Sequence, residues 1–285
     1  MTIQNECVEC IVAQSLRVAD AIGADAVLRS RIHDDVLAMS KHFDFTKTPP
    51  EVARPVYEHM AKLAHKTDLY DDVKRRSSMQ ARAFLPELKA RIAEAEDPFF
   101  AALKVAVAGN VIDLAAEVAF DLDEEIARLF ETPFSIDDTQ QLYRQLADAS
   151  TLLYIADNAG EHLFDALAIE TFKTRFPDLT VYYMTRGAPI INDITYDEAK
   201  ADGLGKHCTL VDSGVDTPGF VYARANARAR ELFDGCDVVL AKGMGNYECL
   251  SPAPRSALAY VFKVKCQVVS RSVAAPVGGL VCKVQ

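Results

Sequence analysis

The chain has 285 residues, half of them hydrophobic and a quarter charged, with 13 glycines and 12 prolines. This excludes the disordered, collagenous and low-complexity classes and leaves a globular protein of one large or two moderate domains. Its 41 acidic against 31 basic residues give a formal charge of -10, and an acidic surface repels phosphate backbones and anionic headgroups, so neither nucleic acid nor membrane is an expected partner.

The N-terminus, MTIQNECVEC, lacks a basic n-region and an apolar h-region, and no apolar run approaches the ~20 residues of a membrane span. A soluble, cytoplasmic protein is expected. Up to about residue 150 the hydrophobic spacing reads as helical throughout. Val8, Ile11, Val12, Ser15, Val18, Ala19 and Ile22 recur at three- and four-residue steps, with Gly23 placed as a C-terminal cap. Similar patterns run through Val27 to Met39, Val52 to Leu63 after Pro49-Pro50, and Val73 to Ile92, where Pro86 is expected to kink or divide the helix. Asp97-Pro98 opens another helix ending near Gly109, and further helices are expected around 121–131 and 137–149.

From Thr151 the period changes. Leu152-Leu153-Tyr154-Ile155-Ala156 is a short apolar run bounded by Asp-Asn-Ala-Gly, as in a strand buried on both faces. Companion strands are expected at Thr180–Thr185, Cys208–Val211, Val238–Ala241, Gln267–Ser270 and Gly279–Val284, with crossover helices near 161–176, 218–234 and 252–263. The expected architecture is an all-helical domain, 1–150, packed on a three-layer α/β/α domain, 151–285, with a mainly parallel sheet.

Open parallel sheets bind ligands beyond the C-terminal ends of their strands. Four such turns are polar: Asp157-Asn158-Ala159-Gly160-Glu161; Arg186-Gly187 with Asn192-Asp193; Asp212-Ser213-Gly214-Val215-Asp216; and Lys242-Gly243-Met244-Gly245-Asn246-Tyr247-Glu248. The oxygens of Asp157, Asn158 and Asp193 are hard ligands suited to Mg²⁺ or Mn²⁺. Lys242, with backbone amides of the Ser213-Gly214 and Gly243 turns, supplies donors for a phosphate. Each cluster also has a plain structural reading: a turn with a helix cap at Asp157-Asn158, a cap at Asp193, an ion pair at Arg186, a strand closure at Lys242-Gly243. Their conjunction at four successive strand ends favours a ligand site.

Seven cysteines, an odd number lying mostly in apolar strings, argue against a disulfide framework. Cys7-x-x-Cys10 at the first helix N-terminus fits a redox pair, half of a zinc site, or a structural pair, since no second Cys-x-x-Cys exists. The six histidines read as solvated or capping, with His162 close to the crevice.

Together these four turns, including Ile191-Asn192-Asp193 and Ser213-Gly214-Val215-Asp216-Thr217-Pro218-Gly219, resemble the metal-dependent damage-control phosphatase family, formerly a domain of unknown function. Cys7-x-x-Cys10 and Gly109-Asn110-Val111-Ile112-Asp113 resemble its archaeal and bacterial branch. The resemblance implies hydrolysis of small phosphorylated metabolites, such as sugar phosphates or phosphopantetheine derivatives, with a divalent ion (Mg, Mn, Co or Ni) as cofactor. It implies Asp157, Asn158 and Asp193 as metal ligands and Lys242 near the phosphate. Ser213, Gly214 and Asn246 are implied as further components, with Arg186 and Asn192 beside them as candidate substrate-binding residues. A metal-activated water assisted by Glu161 or Asp193 is the expected nucleophile. Two rivals remain: a nucleotide- or sugar-nucleotide-binding transferase at the same sheet edge, and a non-catalytic metal-binding module built on Cys7 and Cys10.

Overall fold

A computed structural model describes residues 1–111 and 122–285. Four helices come first: α1 (Asn5–Ala21), α2 (Ala26–Ser40), α3 (Pro49–Ala64) and α4 (Asp71–Glu94). Gly23 follows α1 at a φ of 64°, the left-handed geometry expected of a helix C-terminus. Thr48 and Glu51 cap α3 reciprocally, and Pro49-Pro50 fill its first turn, where no N–H is required. Pro86 does not divide α4. The buried stripe Ala81, Phe84, Leu88 and Ile92 runs past it on both sides, and that packing holds the turn whose hydrogen bond proline removes.

Next come α5 (Pro98–Val111) and α6 (Leu122–Glu131). Asp97 caps α5 by accepting the Phe100 N–H at 3.1 Å, and the helix passes the expected end at Gly109 to reach Val111. Ile112 and Asp113 of the motif beginning at Gly109 lie outside the described residues. The stretch before residue 150 is not helical throughout, because Phe134–Asp137 forms strand β1, followed by α7 (Thr139–Ala147). Four residues are too few for a period of two to register.

The remainder alternates: β2 (Thr151–Ile155), α8 (Glu161–Arg175), β3 (Thr180–Thr185), α9 (Tyr196–Ala201), β4 (Thr209–Asp212), α10 (Ala227–Gly235), β5 (Val238–Lys242), α11 (Met244–Leu250), β6 (Leu258–Lys263), α12 (Gln267–Val273) and β7 (Leu280–Val284). Two expectations reverse. The helix expected over 252–263 is strand β6 in its second half, and the strand expected at Gln267–Ser270 opens helix α12. Short apolar runs do not reveal their period. The helix expected from 218 begins only at Ala227, where Asn226 caps it by accepting the Ala229 N–H.

The sheet order is β1-β7-β6-β5-β2-β3-β4, with every neighbouring pair parallel except β6 and β7. From β2 the chain moves outward through β3 to β4, and then returns to β5 on the other side. The switch point therefore lies between β2 and β5, where open α/β sheets hold ligands. Leu152 and Tyr154 face one core with α4, α5 and α8, while Leu153 and Ile155 face the other with α10, α11 and α12. Helices α1–α3 make a third core that meets the α/β part through Ile190 and Val268. Among the described residues no helix is long and apolar enough to cross a membrane.

Candidate active site

Backbone pairing continues past the ends of β2 and β3 and aligns the two turns that follow. The Ala156 N–H donates to Met184 O at 2.9 Å, Ile194 N–H to Asp157 O at 2.9 Å, and Ala159 N–H to Asn192 O at 2.8 Å. Asn158 and Asp193 form an antiparallel bridge. Asp157, Asn158 and Asp193 are thus brought side by side although 35 residues separate Asn158 from Asp193. Ile191, just before Asn192, has a φ of 46°, a costly backbone for a β-branched residue and one that its surroundings must enforce.

Asp157 lies against the end of β5. Gly243 there has a φ of 80°, and a Cβ added to it would stand 2.0 Å from Asp157 Oδ2, so only glycine admits the carboxylate. Asn158 donates through Nδ2 to Asp157 Oδ2 at 3.1 Å and to Glu161 Oε1 at 2.8 Å. Its amide hydrogens therefore bridge two carboxylates, and its carbonyl oxygen remains as an acceptor. Burial, then the charge of Asp193, lifts the Asp157 carboxyl to about 6 against the pull of Lys265, Lys242 and Arg186. Burial lifts Asp193 to about 6 despite Arg186, and lifts Glu161 to about 7 despite Lys242. Glu248 is raised to about 7 by burial, with the Asp157 charge adding to it.

These shifts set a pH dependence. Unfolded carboxyls titrate near ~4, so between roughly pH 4 and 7 the folded chain holds protons that the unfolded chain has lost. Stability of the metal-free protein should therefore rise as pH falls from about 8 to about 5.5. Calorimetric melting in chelator measures this, and a melting temperature that stays flat or falls over the window would refute the crowding of the carboxylates.

Several expected substrate contacts are already spent within the protein. Lys242 is fully buried, its Nζ 2.9 Å from Asp165 Oδ1 and 3.4 Å from Glu161 Oε2. Asp165 also accepts the hydroxyls of Tyr154 at 2.6 Å and Tyr183 at 2.7 Å. Against the desolvation that alone would lower it, Asp165 and Glu161 push the Lys242 pKa up. The lysine is the centre of an ionic network beneath the crevice. Asn246 likewise donates to Ala156 O and Lys242 O, and accepts from Phe220 N–H and Arg186 Nη2.

The expected amide cradle is spent too. Ser213 N–H donates to Thr185 O, Gly214 N–H to Asp212 Oδ1, Val215 N–H to Ser213 Oγ, and Gly243 N–H to Val261 O. The backbone N–H groups of Ser213 and Gly214 therefore build the turn and do not present donors to a phosphate. Arg186, also buried, donates from Nε to Asp193 Oδ2 at 2.7 Å and from Nη2 to Asn246 at 3.1 Å, while Nη1 has no hydrogen-bond partner. Asn192 stays half-buried, its carbonyl engaged by Ala159.

One cation escaped the sequence reading. Lys265, exposed in the turn after β6, acts electrostatically on both Asp157 and Glu161. Its N–H meets the Met244 sulfur at 3.1 Å, which ties this turn to the start of α11. The signal was hidden because the segment before it read as helix, so no strand end was expected there. Asp165 was also missed, although it lies four residues after Glu161 on α8 and so shares its face.

The helical part reaches the same crevice. Arg54 on α3 donates to Asp216 Oδ2 at 2.6 Å, and Tyr57 of the same helix lines a cavity with Ile190, Ile191 and Asp216. Cys7 is buried and Cys10 exposed. Among the described residues no three His, Cys, Asp or Glu side chains converge as a metal cage, so Cys7 and Cys10 have no third ligand of that kind. A cavity of about 800 Å³ beside Arg175 lies at the opposite end of α8 from Glu161 and contains none of the strand-end groups.

The family model of the damage-control phosphatase ARMT1-like domain matches residues 3–281. The chain is 32% identical over 288 residues to a damage-control phosphatase from Pyrococcus horikoshii, covering 99% of this chain and 98% of that protein. It is 29% identical over 290 residues to a damage-control phosphatase from Archaeoglobus fulgidus, covering 100% and 99%. The crystal structure of a DUF89 family protein from Pyrococcus horikoshii matches with a TM-score of 0.91 at 30% identity, covering 100% of this chain and 99% of that one. The family model, the full-length relatives and the matching fold agree: the chain belongs to the damage-control phosphatase ARMT1-like domain family and is a phosphatase.

Proposed function

We propose that the protein hydrolyses small phosphorylated metabolites of the cytoplasm, sugar phosphates or phosphopantetheine-like compounds, with a divalent cation held by Asp157, Asn158 and Asp193. The observation that carries this reading is the paired turn that crowds two carboxylates and an amide together, each carboxyl raised by burial and Asp157 also by the neighbouring charge. A positive ion relieves that crowding. Two acids and an amide oxygen suit a hard ion that keeps several waters, and they suit a closed zinc cage poorly. When bound, such an ion supplies Lewis-acid charge to a phosphoryl oxygen and acidifies a water.

The protein's own groups do the rest. Glu161, oriented by Asn158, accepts the proton of the attacking water, a role suited to a carboxyl near 7. Arg186, whose buried Nη1 has no hydrogen-bond partner, is available to the phosphoryl group, and exposed Lys265 would neutralise its outer oxygens. Helices α1–α3 form a cap over the α/β part. A cavity of about 210 Å³ between α3 and the 188–191 turn, lined by Tyr57, Ile190, Ile191 and Asp216, is the place for the organic part of the substrate.

The deciding experiment is phosphate release by metal-stripped protein, with Mg²⁺, Mn²⁺, Co²⁺ or Ni²⁺ restored, across a panel of phosphorylated metabolites. Full activity in chelator would sink the metal reading. Within that assay Lys265→Met should lower kcat/KM by roughly tenfold or more, the value of one charge-assisted contact to phosphate. The melting temperature should stay near wild type, because Lys265 is exposed, and metal affinity should not fall, because the charge removed repels a cation near Asp157. An unchanged kcat/KM would remove Lys265 from the site.

A further inference from the structure

The turn that carries Asp157 and Asn158 is braced from below by a residue the chemistry does not use. Gly160, at a φ of 89°, donates its N–H to His162 Nδ1 at 3.0 Å. An imidazole nitrogen that accepts a backbone N–H carries no hydrogen, so His162 is protonated on Nε2, which faces Asp202 Oδ2 at 2.8 Å. The ring is wholly buried and the His162 N–H returns to Asn158 O at 3.3 Å. The other oxygen of Asp202 pairs with Arg82 of α4.

The same helix holds the second turn. Lys74 of α4 is 2.7 Å from Glu198 Oε1, and Glu198 Oε2 accepts the Thr195 N–H and hydroxyl at the start of α9, just after Asp193. Asp202 closes the other end of α9. Helix α4 thus grips both turns through charged pairs.

We propose that His162 is a positioning residue, clamped by Asp202 and Arg82, that sets the Asp157-Asn158 turn for metal binding and couples it to α4. This rests on the assignment of Asp157, Asn158 and Asp193 as metal ligands. Groups that orient ligands typically govern metal affinity by about 10–100-fold.

Two isosteres separate the ring's two bonds. In His162→Asn the amide oxygen stands where Nδ1 stood and keeps the Gly160 contact, while Asp202 is released. In His162→Gln the amide nitrogen stands where Nε2 stood and keeps Asp202, while Gly160 is released. Titration calorimetry with Mn²⁺ is the primary readout, beside melting temperature and kcat at saturating Mn²⁺. His162→Gln should weaken Mn²⁺ binding by roughly tenfold or more, His162→Asn by less, and Arg82→Met by a few-fold. In all three kcat should recover at saturating metal.

Mn²⁺ affinity within about twofold of wild type in His162→Gln, with only the melting temperature lowered, would overturn the proposal and leave a purely structural histidine. If His162→Gln does not fold, Arg82→Met decides, since Arg82 is exposed; unchanged Mn²⁺ affinity there overturns the coupling. A wild-type protein that binds no Mn²⁺ and hydrolyses phosphate without metal refutes the ligand assignment itself, a result distinct from unchanged variants of a metal-binding wild type.

Discussion

Replacing Asp157 or Asp193 by Asn is expected to abolish divalent-metal binding and to cut kcat/KM by about 4 kcal/mol, roughly a thousandfold. In the proposed site the two side chains supply the negative charge of a three-residue oxygen set, so loss of one would leave a divalent ion undercompensated. Asparagine is the better test than alanine at Asp193. Arg186 is buried and its Nε donates to this carboxylate, so alanine would also strand a guanidinium, whereas an amide oxygen still accepts. In metal-free protein Asp157→Asn should fold at least as well as wild type, because it removes one of two crowded charges, whereas Asp193→Asn also loses the ion pair with buried Arg186 and should melt lower. Calorimetry with Mn²⁺ and initial rates on an aryl phosphate measure the two effects on one preparation. Wild-type turnover with wild-type metal affinity in either variant would discard the site.

The second large effect concerns stability. Lys242→Met leaves Asp165 and Glu161 buried without their cation, and breaking such a pair costs about 3–5 kcal/mol. For a chain of this size the melting temperature should fall by roughly 10 °C. Asp165→Asn in the same chain should restore part of the loss, because the amide still accepts from Tyr154 or Tyr183 and no longer needs a counter-charge. Activity should fall with Lys242→Met as well, through the Glu161 carboxylate that the lysine steadies. A variant that melts as wild type and shows only a raised KM would return Lys242 to the role of a phosphate contact, and would mean that the buried network is not what holds it.

The rival of a metal module on Cys7 and Cys10 finds no third ligand among the described His, Cys, Asp and Glu side chains. The pair nevertheless lies closer to the crevice than chain distance implied, since Cys7 packs in one apolar cluster with Tyr57 and Ile190. Helix α1 reaches the crevice because α1–α3 pack through Ile190, three residues before Asp193.

By itself the sequence determined the class of fold, most of the strands that build the crevice, and the turns at which polar side chains gather. These are legible because they rest on local properties: a buried strand shows as an apolar run, a helix as a period, and a parallel sheet must place every strand-to-helix turn at one edge. The side-by-side placement of Asp157 and Asn158 with Asp193 follows from that shared edge. The tertiary structure decided which polar groups remain available to a ligand. Lys242, Asn246 and the backbone amides of Ser213 and Gly214 stand at the right edge, but their donors are consumed by Asp165, Ala156, Thr185 and Asp212. Hydrogen bonding saturates, and whether a donor is free depends on partners that can lie anywhere along the chain. Lys265 became visible only once β6 was placed beside β5, because a six-residue apolar run can serve as helix or strand until its neighbour pairs with it.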